Sequence, residues 1–122
     1  MNTYETYVSL ETAKLLKQAG FDWEVDACYT YGDYFDFLQR PKNCNEIEHW
    51  HSAPTLSVAQ KWLREVKGYY VFVTDDSQCV EPNLIWVITR PSYLAGMCKG
   101  STYEDYLEAG INKCLTLLLK EE

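Results

Sequence analysis

The stretch Phe21-Asp-Trp-Glu-Val-Asp-Ala-Cys-Tyr-Thr-Tyr31 alternates between two kinds of side chain. Apolar or aromatic residues occupy the odd positions, and polar residues fill most of the even ones. Successive side chains of a strand point to opposite faces, so this period of two predicts a strand with one buried face and one wet face. Such strands are typical of antiparallel sheets covered on one side, which makes α+β the expected fold class.

Gly32-Asp33 predicts a turn after this strand, and residues 34–39 a second strand that pairs with the first. A two-residue turn would leave Phe35 and Phe37 on the wet face. A turn one residue longer exchanges the two faces and brings both rings into the core. We favour the longer turn because it buries both phenylalanines.

Helix signals surround these strands at residues 9–19, 54–67 and 101–119. Ser9 is suited to cap the first helix, and Ser101 with Glu104 matches the S-x-x-E capping box of the third. Gly110 lies on the apolar stripe of the third helix and should allow that helix to approach the sheet closely. A weak strand signal covers residues 46–52, and stronger ones cover 69–74 and 84–89, the latter predicted to be central.

The predicted order is therefore α-β-β-(β)-α-β-β-α, with polar loop 75–83 and connection 90–100 between the later elements. We expect one antiparallel sheet of four to five strands, with two to three helices packed mainly on one face. A length of 122 residues and the absence of a linker or low-complexity tract predict a single domain, residues 1–122.

The formal net charge of −7 disfavours direct nucleic-acid binding, because phosphates would be repelled and no basic patch is evident. Five cysteines at irregular spacing, without a CxxC pair, indicate reduced thiols in a cytoplasmic protein. The first residues lack the pattern of a signal peptide, and the longest apolar run, 84–88, is too short to cross a membrane. No cofactor motif is present.

Two segments and a closing helix carry a resemblance. They are Tyr7-Val-Ser-Leu-Glu-Thr-Ala-Lys-Leu-Leu-Lys-Gln-Ala-Gly-Phe21, Ala53-Pro-Thr-Leu-Ser-Val-Ala-Gln-Lys-Trp-Leu-Arg-Glu-Val66, and the helix at 102–111. Together they resemble a group of small proteins from gut anaerobic bacteria and their phages. That group has no established activity, so the resemblance implies a phage or mobile-element context and assigns no site residue.

Cys44, His49 and His51 form the one local cluster of soft metal ligands. The two histidines would share a side of a strand, and Cys44 could reach them from the preceding loop. Zinc needs four ligands, or three with an open position, and the spacing matches no recognised motif. A polar surface loop beside Trp50 is the favoured interpretation, so no metal is predicted.

Asp22, Glu24 and Asp26 form a column of carboxylates along the wet face of the first strand. Paired carboxylates can bind a divalent cation or transfer protons. On an exposed strand they more often form a solvated face, which is the interpretation that we favour.

Aromatic side chains are more numerous than one face of a small sheet can bury, since the chain has ten tyrosines and four tryptophans. Some of them are therefore expected at a protein interface, with Tyr34, Phe35, Phe37 and Trp50 as the candidates. The favoured function is a protein-interaction or adaptor domain that binds another protein or a second copy of itself. The alternatives are a small enzyme or metal-binding protein using Cys44, His49 and His51, an acidic inhibitor that mimics nucleic acid, and a structural component of an assembly.

Overall fold

The computed structural model describes residues 5–75 and 84–121. Within them lie three α-helices and two antiparallel three-stranded sheets, which confirms the α+β class. The elements are α1 (Leu10–Gln18), β1 (Val25–Thr30), β2 (Tyr34–Lys42), β3 (Trp50–Ser52), α2 (Leu56–Trp62), β4 (Tyr70–Asp75), β5 (Leu84–Arg90), β6 (Leu94–Gly96) and α3 (Tyr103–Lys120). A 3₁₀ turn, Cys44–Glu46, precedes β3, and a π-helical segment, Leu63–Lys67, extends α2.

The strands form two sheets where the sequence predicted one. The first sheet has the order β2-β1-β3 and the second the order β4-β5-β6. Each pair of predicted strands gains a short third strand, β3 from the weak signal at 46–52 and β6 from the connection 90–100. The inner strands, β1 and β5, are then paired on both sides, and none of the described strands pairs across the two sheets. Apart from Asp75, which ends β4, the predicted loop 75–83 lies outside the described residues.

The register of the first hairpin is the predicted one. Thr30 lies opposite Tyr34 and Tyr29 opposite Phe35, so residues 31–33 form the longer turn. Gly32 has a φ of 98°, in the left-handed region that suits glycine. Further along, residues 38–41 of β2 fit between the pairs Ala27↔Phe37 and Val25↔Lys42, which makes a large bulge.

The helix starts follow from capping. The Ser9 hydroxyl accepts a hydrogen bond from the Thr12 amide at 3.3 Å, as predicted. The third helix begins one residue later than the Ser101–Glu104 pattern suggested. Its capping box uses Thr102 and Asp105, because the Asp105 carboxylate accepts from the amides of both Ser101 and Thr102 at 3.1 and 3.2 Å.

Helix α3 packs closely on the second sheet, as the position of Gly110 predicted. A Cβ atom at Gly110 would lie 3.0 Å from Trp86 Cβ and 3.0 Å from Val71 Cγ1. Trp86 is 8% exposed beneath this contact, and β5 is the central strand of its sheet. The missing side chain therefore lets the helix backbone reach the sheet.

Helix α1 connects α3 with the first sheet. The Asn112 amide of α3 donates to the Thr12 hydroxyl of α1 at 2.6 Å. At the other end of α1, Lys17 Nζ donates to the carbonyl of Trp50 in β3 at 2.7 Å. Helix α1 thus lies towards β3, which leaves β2 at the opposite edge of the sheet.

The extended segment before α1 lies beside the start of α2. Tyr7 forms an isolated antiparallel bridge with Thr55, and the Val8 amide donates to the Pro54 carbonyl at 3.0 Å. The Leu56 amide in turn donates to the Thr6 carbonyl at 2.8 Å. These bonds fix Tyr7 at the position from which its ring reaches β2.

Candidate functional site

Four rings form an aromatic cluster on one face of the first sheet: Tyr7, Tyr29, Phe35 and Phe37. Phe35 contacts Tyr29, Tyr7 and Phe37 edge to face, with ring centroids 5.3, 5.5 and 5.2 Å apart. Tyr7 also meets Phe37 at 5.6 Å. Edge-to-face pairs contribute about 0.5–1.5 kcal/mol each beyond their buried area, so the rings hold one another in place.

Exposure differs between the rings of the aromatic cluster. Tyr29 is half-buried, and its hydroxyl donates to the Val8 carbonyl at 2.8 Å. Phe35 and Tyr7 are also half-buried, whereas 62% of Phe37 is exposed. The expectation that the register would bury both phenylalanines is therefore wrong for Phe37, because no described helix covers that end of the face.

The four aromatic residues predicted for an interface do not share one surface. Tyr29 opposite Phe35 and Ala27 opposite Phe37 place both phenylalanines on the odd-numbered face of β1. Tyr34 and Trp50 both lie opposite Thr30, on the other face. Tyr34 is 65% exposed there, and Lys42 Nζ lies 5.4 Å from the centroid of the Trp50 ring.

A pocket of about 270 Å³ lies beside the aromatic cluster. Its lining comes from the start of β1, the bulge of β2 and the start of α2: Glu24, Val25, Asp26, Pro41, Pro54, Thr55 and Val58. Tyr7 joins the pocket to the cluster, since its hydroxyl donates to Asp26 Oδ1 at 3.2 Å. Partial burial and the nearby Asp26 charge raise the pKa of the Tyr7 hydroxyl, which keeps it protonated as a donor.

The carboxylate column is divided by the structure. Asp22, Glu24 and Asp26 are all exposed, but β1 begins at Val25, so only Asp26 belongs to the strand. Glu24 and Asp26 line the pocket. The expectation of a uniformly wet face is wrong at Cys28, which is fully buried against the turn that carries Cys44.

The candidate metal ligands lie in different surroundings. Cys44 is fully buried near the buried Cys28. His49 is exposed, 3.6 Å from Glu48, and His51 is half-buried with its Nδ1 lacking a hydrogen-bond partner among the described residues. Across residues 5–75 and 84–121, no three histidine, cysteine or acidic side chains are grouped as metal ligands.

The thiols of the core are poor nucleophiles. Burial, followed by the hydrogen bond with Cys44, raises the pKa of Cys28 to about 12, and burial alone raises the pKa of Cys114 to about 12. Burial also raises the pKa of Cys44. Since the thiolate is the reactive form, these three side chains are suited to packing.

Sequence reasoning identified Phe35 and Phe37 but not Tyr7 or the pocket. Tyr7 enters the cluster through its bridge to Thr55, forty-eight positions along the chain. The pocket combines side chains from three separate segments, and no local pattern marks such a combination. The one available signal was an aromatic residue directly before the apolar Val8, in a segment with no predicted element.

Comparison with known proteins gives no relative to guide the assignment. No family model, no curated protein and no solved structure matches the chain. Among the described helices, none is both long and apolar enough to cross a membrane.

Proposed function

We propose that this chain is a small protein-interaction domain that binds another protein through the aromatic cluster. The observation that carries the proposal is Phe37, an apolar ring held between Tyr7 and Phe35 yet 62% exposed. A large apolar side chain in water is a surface that a partner can bury with a gain in free energy.

The cluster is arranged before any partner arrives. Each ring has at least one edge-to-face neighbour, and the Tyr29 hydroxyl bond to Val8 ties the set to the backbone. Ordering flexible side chains on binding costs about 0.5–1.5 kcal/mol for each. Rings that are already fixed avoid much of this cost, which supports their use as binding anchors.

The partner would contact the face of the first sheet and not its edge. β2 is an edge strand, and such strands can accept a further strand. The bulge at 38–41 disrupts a regular ladder, and Pro41 within it lacks an amide donor. A partner is thus expected to bind by apolar contact with the exposed Phe37 ring and not by pairing a strand with the backbone of β2.

The other functions have less to support them. A cysteine nucleophile is disfavoured at Cys28, Cys44 and Cys114 by burial and raised pKa values. A mimic of nucleic acid would need a contiguous negative surface, whereas the carboxylates of this pocket lie among apolar walls. We propose a cytoplasmic location because the cysteines are odd in number and irregularly spaced. We propose a phage or mobile-element context from the sequence resemblance.

The test is affinity capture of the tagged chain from a lysate of its own host, followed by native mass spectrometry. We expect a stoichiometric second protein with the wild-type chain and its loss with Phe37→Ser. Tyr93→Ser is the matched control, because Tyr93 is 70% exposed on the connection between β5 and β6. A homodimer lost in Phe37→Ser would make a second copy the partner. Equal capture by Phe37→Ser, or a bare monomer throughout, would contradict the proposal.

A further inference from the structure

The pocket beside the aromatic cluster contains two carboxylates that have no cationic partner in the part of the chain that the structure describes. Glu24 and Asp26 line it, and neither forms an ion pair with another described residue. Two cations flank Pro41 in sequence. Lys42 Nζ lies over the Trp50 ring, on the other face of the sheet, and Arg40 is exposed and forms no ion pair within the described ranges. The negative charge of the pocket is therefore available to a ligand.

Apolar groups form the remaining walls. Val25, Pro41, Pro54 and Val58 contribute hydrocarbon surface next to the carboxylates. A volume of about 270 Å³ lies below the range of about 300–1,000 Å³ that is usual for pockets of drug-sized ligands. A single long side chain fits this size, and an apolar stem with a cationic head matches both kinds of wall.

We propose that this pocket binds an arginine or lysine side chain presented by the partner protein next to the aromatic cluster. The identity of the donor rests on the proposed function, whereas the chemistry of the pocket does not. The Tyr7 hydroxyl bonds Oδ1 of Asp26, which orients the carboxylate and leaves Oδ2 for the incoming cation. The partner is thus a basic protein segment that also carries an apolar group for Phe37.

The experiment is an NMR titration of the ¹⁵N-labelled chain with three capped amino-acid amides. N-acetyl-arginine amide and N-acetyl-lysine amide supply the two cations, and N-acetyl-norleucine amide is the neutral control. We expect saturable chemical-shift changes at residues 24–26, 55 and 58 with at least one cation. The dissociation constant should be about 1 mM and should increase with added salt. The cation that binds more tightly identifies whether the pocket prefers an arginine or a lysine side chain.

Charge-neutral variants locate the effect. Glu24→Gln/Asp26→Asn should weaken binding of the cation about tenfold, since a pair of exposed carboxylates each contributes modestly. Asp33→Asn/Glu46→Gln is the matched control, because both residues are exposed and neither lines the pocket. It should bind as the wild type does.

Two outcomes would overturn the proposal: equal shifts with the norleucine amide, or no localised shifts with either cation. Comparing the two assays separates the two proposals, because capture of the partner should require Phe37, whereas the titration should require Glu24 and Asp26. If the titration fails while capture still depends on Phe37, the interaction domain stands without the cationic anchor. If the cation binds while capture is indifferent to Phe37, the proposed function fails instead.

Discussion

The face of the second sheet that meets α3 and the face of the first sheet that carries the aromatic cluster hold similar side chains in different environments. Trp86 is 8% exposed and Phe37 is 62% exposed. Helix α3 has 18 residues and meets its sheet through Gly110, whereas α1 has 9 residues and lies towards β3. At about 1.5 Å per residue these helices span roughly 27 and 13 Å.

The difference shows that the pattern of a strand decides the face of each side chain but not its burial. Phe35 and Phe37 share the inner face of the first sheet, but a short helix leaves their edge uncovered. The rings then pack on each other, and Tyr7 from the extended segment covers part of the gap. An apolar residue on an inner face becomes a binding surface where the covering element ends.

The largest effect is expected on the covered side. Trp86→Ala should lower the free energy of unfolding by about 3–5 kcal/mol, because it leaves a cavity between β5 and α3. Denaturant-induced unfolding measures the change. A loss below about 1 kcal/mol would mean that this ring is not part of the core.

A smaller loss in the free energy of unfolding should follow from adding a side chain where α3 contacts the second sheet. Gly110→Leu should cost about 1–3 kcal/mol, because even a Cβ at this position would lie 3.0 Å from Trp86 Cβ and Val71 Cγ1. Lys113→Leu is the control on the exposed side of α3 and should change stability by no more than about 0.5 kcal/mol. Equal stability of the two variants would contradict the close approach of α3.

On the exposed face of the first sheet, Phe37→Ser should lower the free energy of unfolding by only about 1 kcal/mol. The variant loses edge-to-face contacts with Phe35 and Tyr7 but transfers little buried area to water. Thermal unfolding beside Tyr93→Ser measures the difference. A loss comparable with that of Trp86→Ala would place Phe37 in the core and remove the basis for a binding role.

The smallest effect is a dependence of stability on pH. Burial, then Lys17, Lys14 and His49, lower the pKa of His51 below its usual 6.5. The unfolded chain therefore takes up a proton at a higher pH than the folded one, so stability is full above about pH 6.5 and falls as the pH decreases towards the folded pKa. Unfolding measured from pH 7 to 5 should show this loss in the wild type and less of it in His51→Gln. Equal slopes would show that His51 titrates as it does in the unfolded chain.

Local chemistry made much of the fold predictable. Ser9 and Thr55 start helices because their hydroxyls cap free amides, and Gly68 with a φ of 76° ends the helical segment after α2. The longer turn was predicted because it places Phe35 and Phe37 on the buried face, and this register is observed although Phe37 is exposed. Each of these features depends on neighbours within a few positions.

Features that depend on distant contacts were not predictable. Strand β6 has three residues and pairs with the edge of β5, with Gly96 beside the Trp86 ring. Helix α3 begins one residue later than predicted because the Asp105 carboxylate accepts hydrogen bonds from two backbone amides. The sequence predicts Phe35 and Phe37 as interface candidates. The position of Tyr7 depends on its pairing with Thr55, and the pocket depends on three segments that are distant in sequence.

The most direct test of the central claim is amide hydrogen exchange on the chain alone and in complex with the protein it captures. The claim that the open face of the first sheet is the binding surface predicts slower exchange at residues 5–8, 24–27 and 34–38 in the complex. Exchange in α3 and the second sheet should stay unchanged. Protection confined to the second sheet, with none around Phe37, would contradict it.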